Sequence, residues 1–106
     1  MPKYLILGSY SDEGLKGLLK EGGSKRRDAA EQSVKGLGGR LEAFYYAFGN
    51  DDFVVIADLP SNVDASALSL TANVSGAVKS RMTVLITPEE VDQATKRTVK
   101  FRPPGK

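Results

Sequence analysis

Four groups of side chains in this 106-residue chain carry enough chemistry to build a site. Lys79 and Arg81 stand two apart in the run from Val78 to Ile86, so in a strand they project from one face beside Thr83. Two cations fixed in that way can hold a carboxylate or phosphate, the arginine through paired hydrogen bonds. The competing reading is an edge strand that uses charge against edge pairing, or charges at the rim of an interface. Tyr45 and Tyr46 alternate across another strand, and Tyr10 closes the first one. A phenol in a pocket donates a hydrogen bond or a proton, whereas a packed strand tyrosine contributes area and keeps its hydroxyl at a rim. Tyr45 is the stronger candidate, because alternation gives its face Leu41, Ala43 and Ala47, which leave space.

Asp51 and Asp52, next to Asn50, offer oxygen ligands that suit Mg²⁺ or Ca²⁺, but their spacing is far short of a calcium loop. Asp and Asn are also what a turn selects, and Asp52 can orient a hairpin by accepting from backbone amides. Lys25, Arg26 and Arg27 sit where a helix begins, an end that disfavours cations. That misplacement points to an anion held across the helix start or to a salt bridge with Asp28 or Glu31, Arg27 and Glu31 being four apart. No residue stands out as catalytic, and no set of residues reads as a metal site.

What is missing removes more chemistry than what is present supplies. Without cysteine or histidine there is no disulfide framework, thiolate nucleophile, Cys/His zinc site, His- or Cys-held haem or His-based triad. No cofactor is expected. Tryptophan is absent too, which removes one common aromatic platform. The glycines at 8, 22, 23 and 49 follow no dinucleotide or Walker pattern. No apolar run approaches the roughly 20 residues of a membrane span, and Met1 to Tyr4 leads into a strand rather than a signal peptide. The expected location is therefore cytoplasmic, with no membrane partner. The net charge of +2 is uneven, since Lys96 to Lys106 carries five bases and no acid while the remainder holds ten bases against thirteen acids. The basic tail from 92 to 106 reads as a solvated terminus whose Pro103-Pro104 end is extended or flexible.

The elements that must position these groups follow from periodicity and punctuation. Lys3 to Tyr10 alternates with apolar residues on both sides and reads as a central strand. Ser11-Asp12 caps a short helix with Leu15, Leu18 and Leu19 on one face, stopped by Gly22-Gly23. Ser24 opens a second helix with Ala30, Val34 and Leu37 inward. Arg40 to Phe48 and Phe53 to Leu59 are two strands joined by the turn Gly49-Asn50-Asp51-Asp52. Phe53, Val55, Ala57 and Leu59 lie on one side of the latter strand, Val54 and Ile56 on the other, so both sides want cover. Ala67, Leu70 and Val74 define the expected inner face of a third helix ending at Gly76. The strand Val78 to Ile86 comes next, then a short helix in which Thr87 is the cap and Pro88 the first residue. Strand-helix-strand occurs twice around a hairpin, the split ferredoxin-like βαββαβ arrangement of the α+β class. Right-handed crossovers put the first and third strands at the centre of a four-stranded antiparallel sheet with helices on one face. A second copy packed against the opposite face would give that face its cover.

The opening strand, the exit Leu37-Gly38-Gly39-Arg40, the strand Leu41 to Phe48, the segment Gly49-Asn50-Asp51-Asp52-Phe53-Val54-Val55 and the later Gly76-Ala77-Val78-Lys79-Ser80 resemble the GYD-domain family of small bacterial and archaeal proteins. The likeness runs over residues 1–91. It implies a dimeric α/β-barrel type of fold, hence a homodimer, possible higher assembly, and no established activity. Gly49 and Asp52 match the family's Gly-x-Tyr-Asp pattern, while Asp51 stands where the tyrosine would be, so no role of that ring carries over.

The leading expectation is a homodimeric module that binds a small anionic or aromatic molecule between sheet and helices. Lys79 and Arg81 would supply charge, and Tyr10 and Tyr45 would form the walls. A cofactor-independent enzyme of monooxygenase or isomerase type, suggested by the superfamily, and a structural or assembly protein remain as alternatives. Nucleic acid is disfavoured, because Asp51 and Asp52 fall where an RNA-recognition strand displays aromatic and small residues.

Overall fold

Strands and helices follow one another in the expected order in the computed structural model, which describes residues 1–106. They are β1 (Lys3–Tyr10), α1 (Asp12–Glu21), α2 (Gly23–Gly36), β2 (Arg40–Tyr46), β3 (Phe53–Asp58), α3 (Asn62–Val74), β4 (Val78–Leu85) and α4 (Pro88–Thr95). The strands form one antiparallel sheet in the order β2-β3-β1-β4, so β1 and β3 are central and the fold is ferredoxin-like α+β. No helix is long and apolar enough to cross a membrane.

Local signals account for most boundaries. The Ser11 side chain accepts from the Gly14 amide at 3.2 Å and its hydroxyl donates to the Gly76 carbonyl at 2.6 Å, which caps α1 and docks it on the α3–β4 connection. Gly22 sits at φ +86°, a left-handed conformation that glycine adopts without steric cost, and it separates α1 from α2. Ser61 caps α3, and a reciprocal capping box between Thr87 and Glu90 opens α4. The hairpin is held by Asp52, whose carboxylate accepts from the Tyr10 amide at 2.9 Å and whose own amide donates to the Gly8 carbonyl at 2.8 Å. Three strands stop earlier than their apolar runs suggest, β2 at Tyr46, β3 at Asp58 and β4 at Leu85.

The core lies between the sheet and helices α2 and α3. Tyr4, Val34, Ala57, Leu59 and Ala65 form one buried cluster, and Ile6, Phe53 and Val55 another. Tyr4 keeps its hydroxyl satisfied by donating to Asn62 Oδ1 at 2.6 Å, so a phenol 2% exposed carries no desolvation penalty from an unpaired donor. Two expectations are corrected. The third helix turns Ala65, Leu68 and Ala72 toward the sheet, leaving Ala67, Leu70 and Val74 exposed. Leu41 does not share a face with Tyr45, because a bulge at Glu42 shifts the register between Leu41 and Ala43 and sends Leu41 to the helix side.

Candidate functional site

Cross-strand register sorts the side chains into rows, since directly paired residues share a face. The rows under the helices are Tyr46-Phe53-Gly8-Ser80, Phe44-Val55-Ile6-Met82 and Leu41-Ala57-Tyr4-Val84. Those on the uncovered face are Tyr45-Val54-Leu7-Arg81, Ala43-Ile56-Leu5-Thr83 and Arg40-Asp58-Lys3-Leu85.

The covered side holds a pocket of about 310 Å³. It exists because the helices bring small residues to the contact: Ala29, Ala30 and Ser33 from α2, Ser69 and Ala72 from α3. Their side chains stop short of the ring-bearing rows beneath, where Phe44 and Phe53 form the floor. Of its 17 lining residues 13 are hydrophobic, and Arg26 is the sole charged one, so the space is apolar with one cationic end. Gly8 belongs to the same construction, because a Cβ there would stand 2.4 Å from the Phe53 ring and 2.7 Å from the Lys79 carbonyl oxygen.

At the cationic end three polar groups meet. Tyr10 packs its ring against Phe53, with centroids 5.3 Å apart. The Tyr10 phenol is pushed up to about 12, first by burial and then by Tyr46, with the Arg26 guanidinium pulling against both. Tyr10 is therefore a neutral hydrogen-bond donor throughout the neutral range. The Tyr46 hydroxyl donates to the Gly23 carbonyl at 2.9 Å, which ties the sheet edge to the first residue of α2. Arg26 reaches Glu21 only at 4.0 Å, with both side chains more than a third exposed.

Of the four residues expected to bind a ligand, Tyr10 lines this pocket; Tyr45, Lys79 and Arg81 do not. Tyr45 is 69% exposed on the uncovered face, in the same row as Arg81. Arg81 is engaged by Asp51 through two hydrogen bonds of 2.9 and 3.1 Å, a fork that holds its guanidinium above its ordinary value. Asp51 thus occupies the arginine expected to meet a ligand. Lys79 does share a shallow polar hollow with Tyr10, Ser9 and Asn73 beyond the end of the sheet. Asp52 holds the hairpin, while Gly49 has open space around it and no positive φ. Of the two pairs offered at the start of α2, Arg27 forms the one with its neighbour Asp28, while Glu31 pairs with Lys35 instead. Arg26 and Tyr46 were not among the expected ligand residues, although the three cations at the start of α2 carried the signal for the first. No group of three or more carboxylates stands close enough together to hold a metal ion.

The uncovered face is apolar at its centre, with Leu5, Leu7, Val54 and Ile56 half-buried. It is bounded by charge at both ends. Lys3 bridges Glu42 and Asp58 at 2.9 and 3.0 Å, Arg40 joins Asp58 at 3.1 Å, and the Arg81 and Asp51 fork closes the other end. A family model described as GYD domain matches residues 4–95. No curated protein matches the chain.

Proposed function

The chain belongs to the GYD-domain family, and we propose that within this fold it works as a homodimeric binding module for a small, predominantly apolar or aromatic molecule. The pocket between sheet and helices carries the reading. Protein interiors rarely keep voids larger than a water molecule, and 310 Å³ equals the liquid volume of about ten waters. It sits at the lower end of the range for small-molecule sites, roughly 300–1,000 Å³. Small residues at five helical positions keep it open, where leucine or valine would close it. Tyr10 with its phenol neutral suits holding a ligand by hydrogen bonding.

The dimer rests on the opposite face. Four strands about 4.8 Å apart and some seven residues long present roughly 450 Å² in plan, with an apolar centre, and the largest apolar patch on a monomer is often functional. The Arg81 and Asp51 fork and the Lys3, Asp58 and Arg40 network would then form a polar rim, with Tyr45 and Lys79 beside them.

Titration with octanol and octanoate, followed by backbone amide NMR shifts, tests the binding reading. Saturable shifts are expected at Ala30, Phe44, Ser69 and Val55, and Ala30→Leu, which fills the space, should abolish them. Absence of saturable shifts with both compounds, or shifts that survive filling, would overturn the reading.

A further inference from the structure

We propose that the pocket's ligand carries a single carboxylate, seated at the α2 end against Arg26 and Tyr10, with its hydrocarbon or aromatic body running between the Phe44 and Phe53 floor and the alanines of α2 and α3. This rests on the binding reading above and deepens it by naming the ligand class.

The argument begins with the distribution of charge. The chain has fifteen Lys and Arg residues, yet just one reaches the pocket wall. Three cations on the uncovered face are differently placed: Lys3, Arg40 and Arg81 are all paired to carboxylates at 2.9 to 3.1 Å. The one carboxylate paired with Arg26 is Glu21 at 4.0 Å, the outer limit of an ion pair, and its other polar neighbour is the uncharged Tyr10 phenol. An exposed pair at that distance contributes little, so the guanidinium is free to turn to a better acceptor.

Its position also carries meaning. Arg26 lies in the first turn of α2, which contains no acid and has Lys25 and Arg27 as neighbours. Cations there oppose the helix dipole and one another. A bound anion would relieve both. Because the same side chain lines an apolar cavity beside Tyr10, the anion must belong to a molecule whose remainder is apolar.

Stoichiometry selects the head group. One guanidinium and one neutral phenol offer a planar fork and a single O–H, which match the two oxygens of a carboxylate. The other polar groups of the wall are the hydroxyls of Ser33, Ser69 and Ser80, which carry no charge. A dianionic head would keep an uncompensated charge at the mouth of an apolar cavity, whereas a carboxylate is neutralised one for one. Volume sets the body, since room for about ten waters accommodates roughly ten non-hydrogen atoms.

The test compares matched pairs, octanoate with octanol and phenylpropanoate with phenylpropanol, titrated by calorimetry into wild type, Arg26→Gln, Arg26→Lys and Tyr10→Phe. Wild type is expected to prefer each carboxylate over its alcohol by at least about tenfold, the scale of a hydrogen bond to a charged group. Arg26→Gln should collapse that preference, Arg26→Lys should retain part of it through a point charge, and Tyr10→Phe should reduce it less than Arg26→Gln. Equal affinity for acid and alcohol in wild type, or a preference untouched by Arg26→Gln, would overturn the carboxylate assignment and leave the binding reading standing. If neither member of either pair binds, both fall together.

Discussion

Val54 and Val55 are neighbours in one strand with identical side chains and opposite surroundings. Val55 is 5% exposed beneath α2 and α3 and lines the pocket; Val54 is half-buried on the opposite face of the sheet. On the covered side the helices are too small for the sheet and leave space. The uncovered side is more apolar than solvent favours, and Lys3, Arg40 and Arg81 are withdrawn into pairs at its two ends. A covering layer made of alanine and serine holds volume open inside the fold, while an apolar sheet face bounded by paired charges suits another surface. The same four strands can therefore serve a ligand on one side and a partner copy on the other.

The largest expected effect comes from placing charge in the middle of the uncovered face. Val54→Asp puts a carboxylate in the row between Tyr45 and Leu7. In a paired face that charge is desolvated without a partner, at a cost of about 3–5 kcal/mol. Sedimentation velocity should then show a folded monomer where wild type sediments as a dimer. Val55→Ala should behave differently, losing about 2 kcal/mol of unfolding free energy in urea at any protein concentration. A Val54→Asp protein that still dimerises would remove the uncovered face as the interface. A Val55→Ala cost that varied with protein concentration would break the distinction between the two sides.

How far these faces were legible depended on how one-sided each element was. β3 alternates cleanly, so its two faces could be read from Phe53 to Leu59 directly. α2 shows one inward stripe, and Val34 is indeed buried. α3 failed because its residues are apolar nearly all round: Ala65-Leu68-Ala72 and Ala67-Leu70-Val74 are both plausible stripes. Only the fit of small residues against Tyr4, Met82 and Val78 decides between them. The bulge at Glu42 left no trace in composition, yet it separated Leu41 from Tyr45. The pocket was illegible as a volume, since a cavity arises from what two distant helices fail to fill. Its charged end was half legible, in three cations at a helix start.

A smaller effect should come from the pocket's phenol. Tyr10 is held at about 12 against an ordinary 10.0, first by burial. A folded pKa above the unfolded one means stability that is fully present below pH 10.0 and lost as the pH rises from there through about 12. Tyr10→Phe has no proton to lose, so it should lose less stability across that window than wild type does. Lys3 is also raised, from 10.5, but it is common to both proteins and cancels in the comparison. The measurement is urea stability against pH, with phenolate absorbance recorded alongside. Parallel curves for the two proteins would show that the phenol is not buried against the pocket wall.

The smallest effect belongs to the uncovered face and runs in the opposite direction of pH. Asp58 is held below its ordinary 3.8, first by its hydrogen bond from Lys3 and then by the one from Arg40, with burial working against both. A folded pKa below the unfolded one means stability present above pH 3.8 and lost as the pH falls through the lower folded value. Asp58→Asn should therefore be less stable than wild type above that point, and the gap should narrow on acidification. The gap is small because Lys3 and Arg40 reach solvent and exposed pairs are weakened by screening. Repeating the acid titration on the Val54→Asp monomer sharpens the comparison, since a partner copy over the face would shield the network. The Asp58→Asn gap should then be larger in the dimer than in the monomer. A gap that stays constant down the acid limb would show that the network does not hold the carboxylate, and an equal gap in monomer and dimer would place the partner elsewhere.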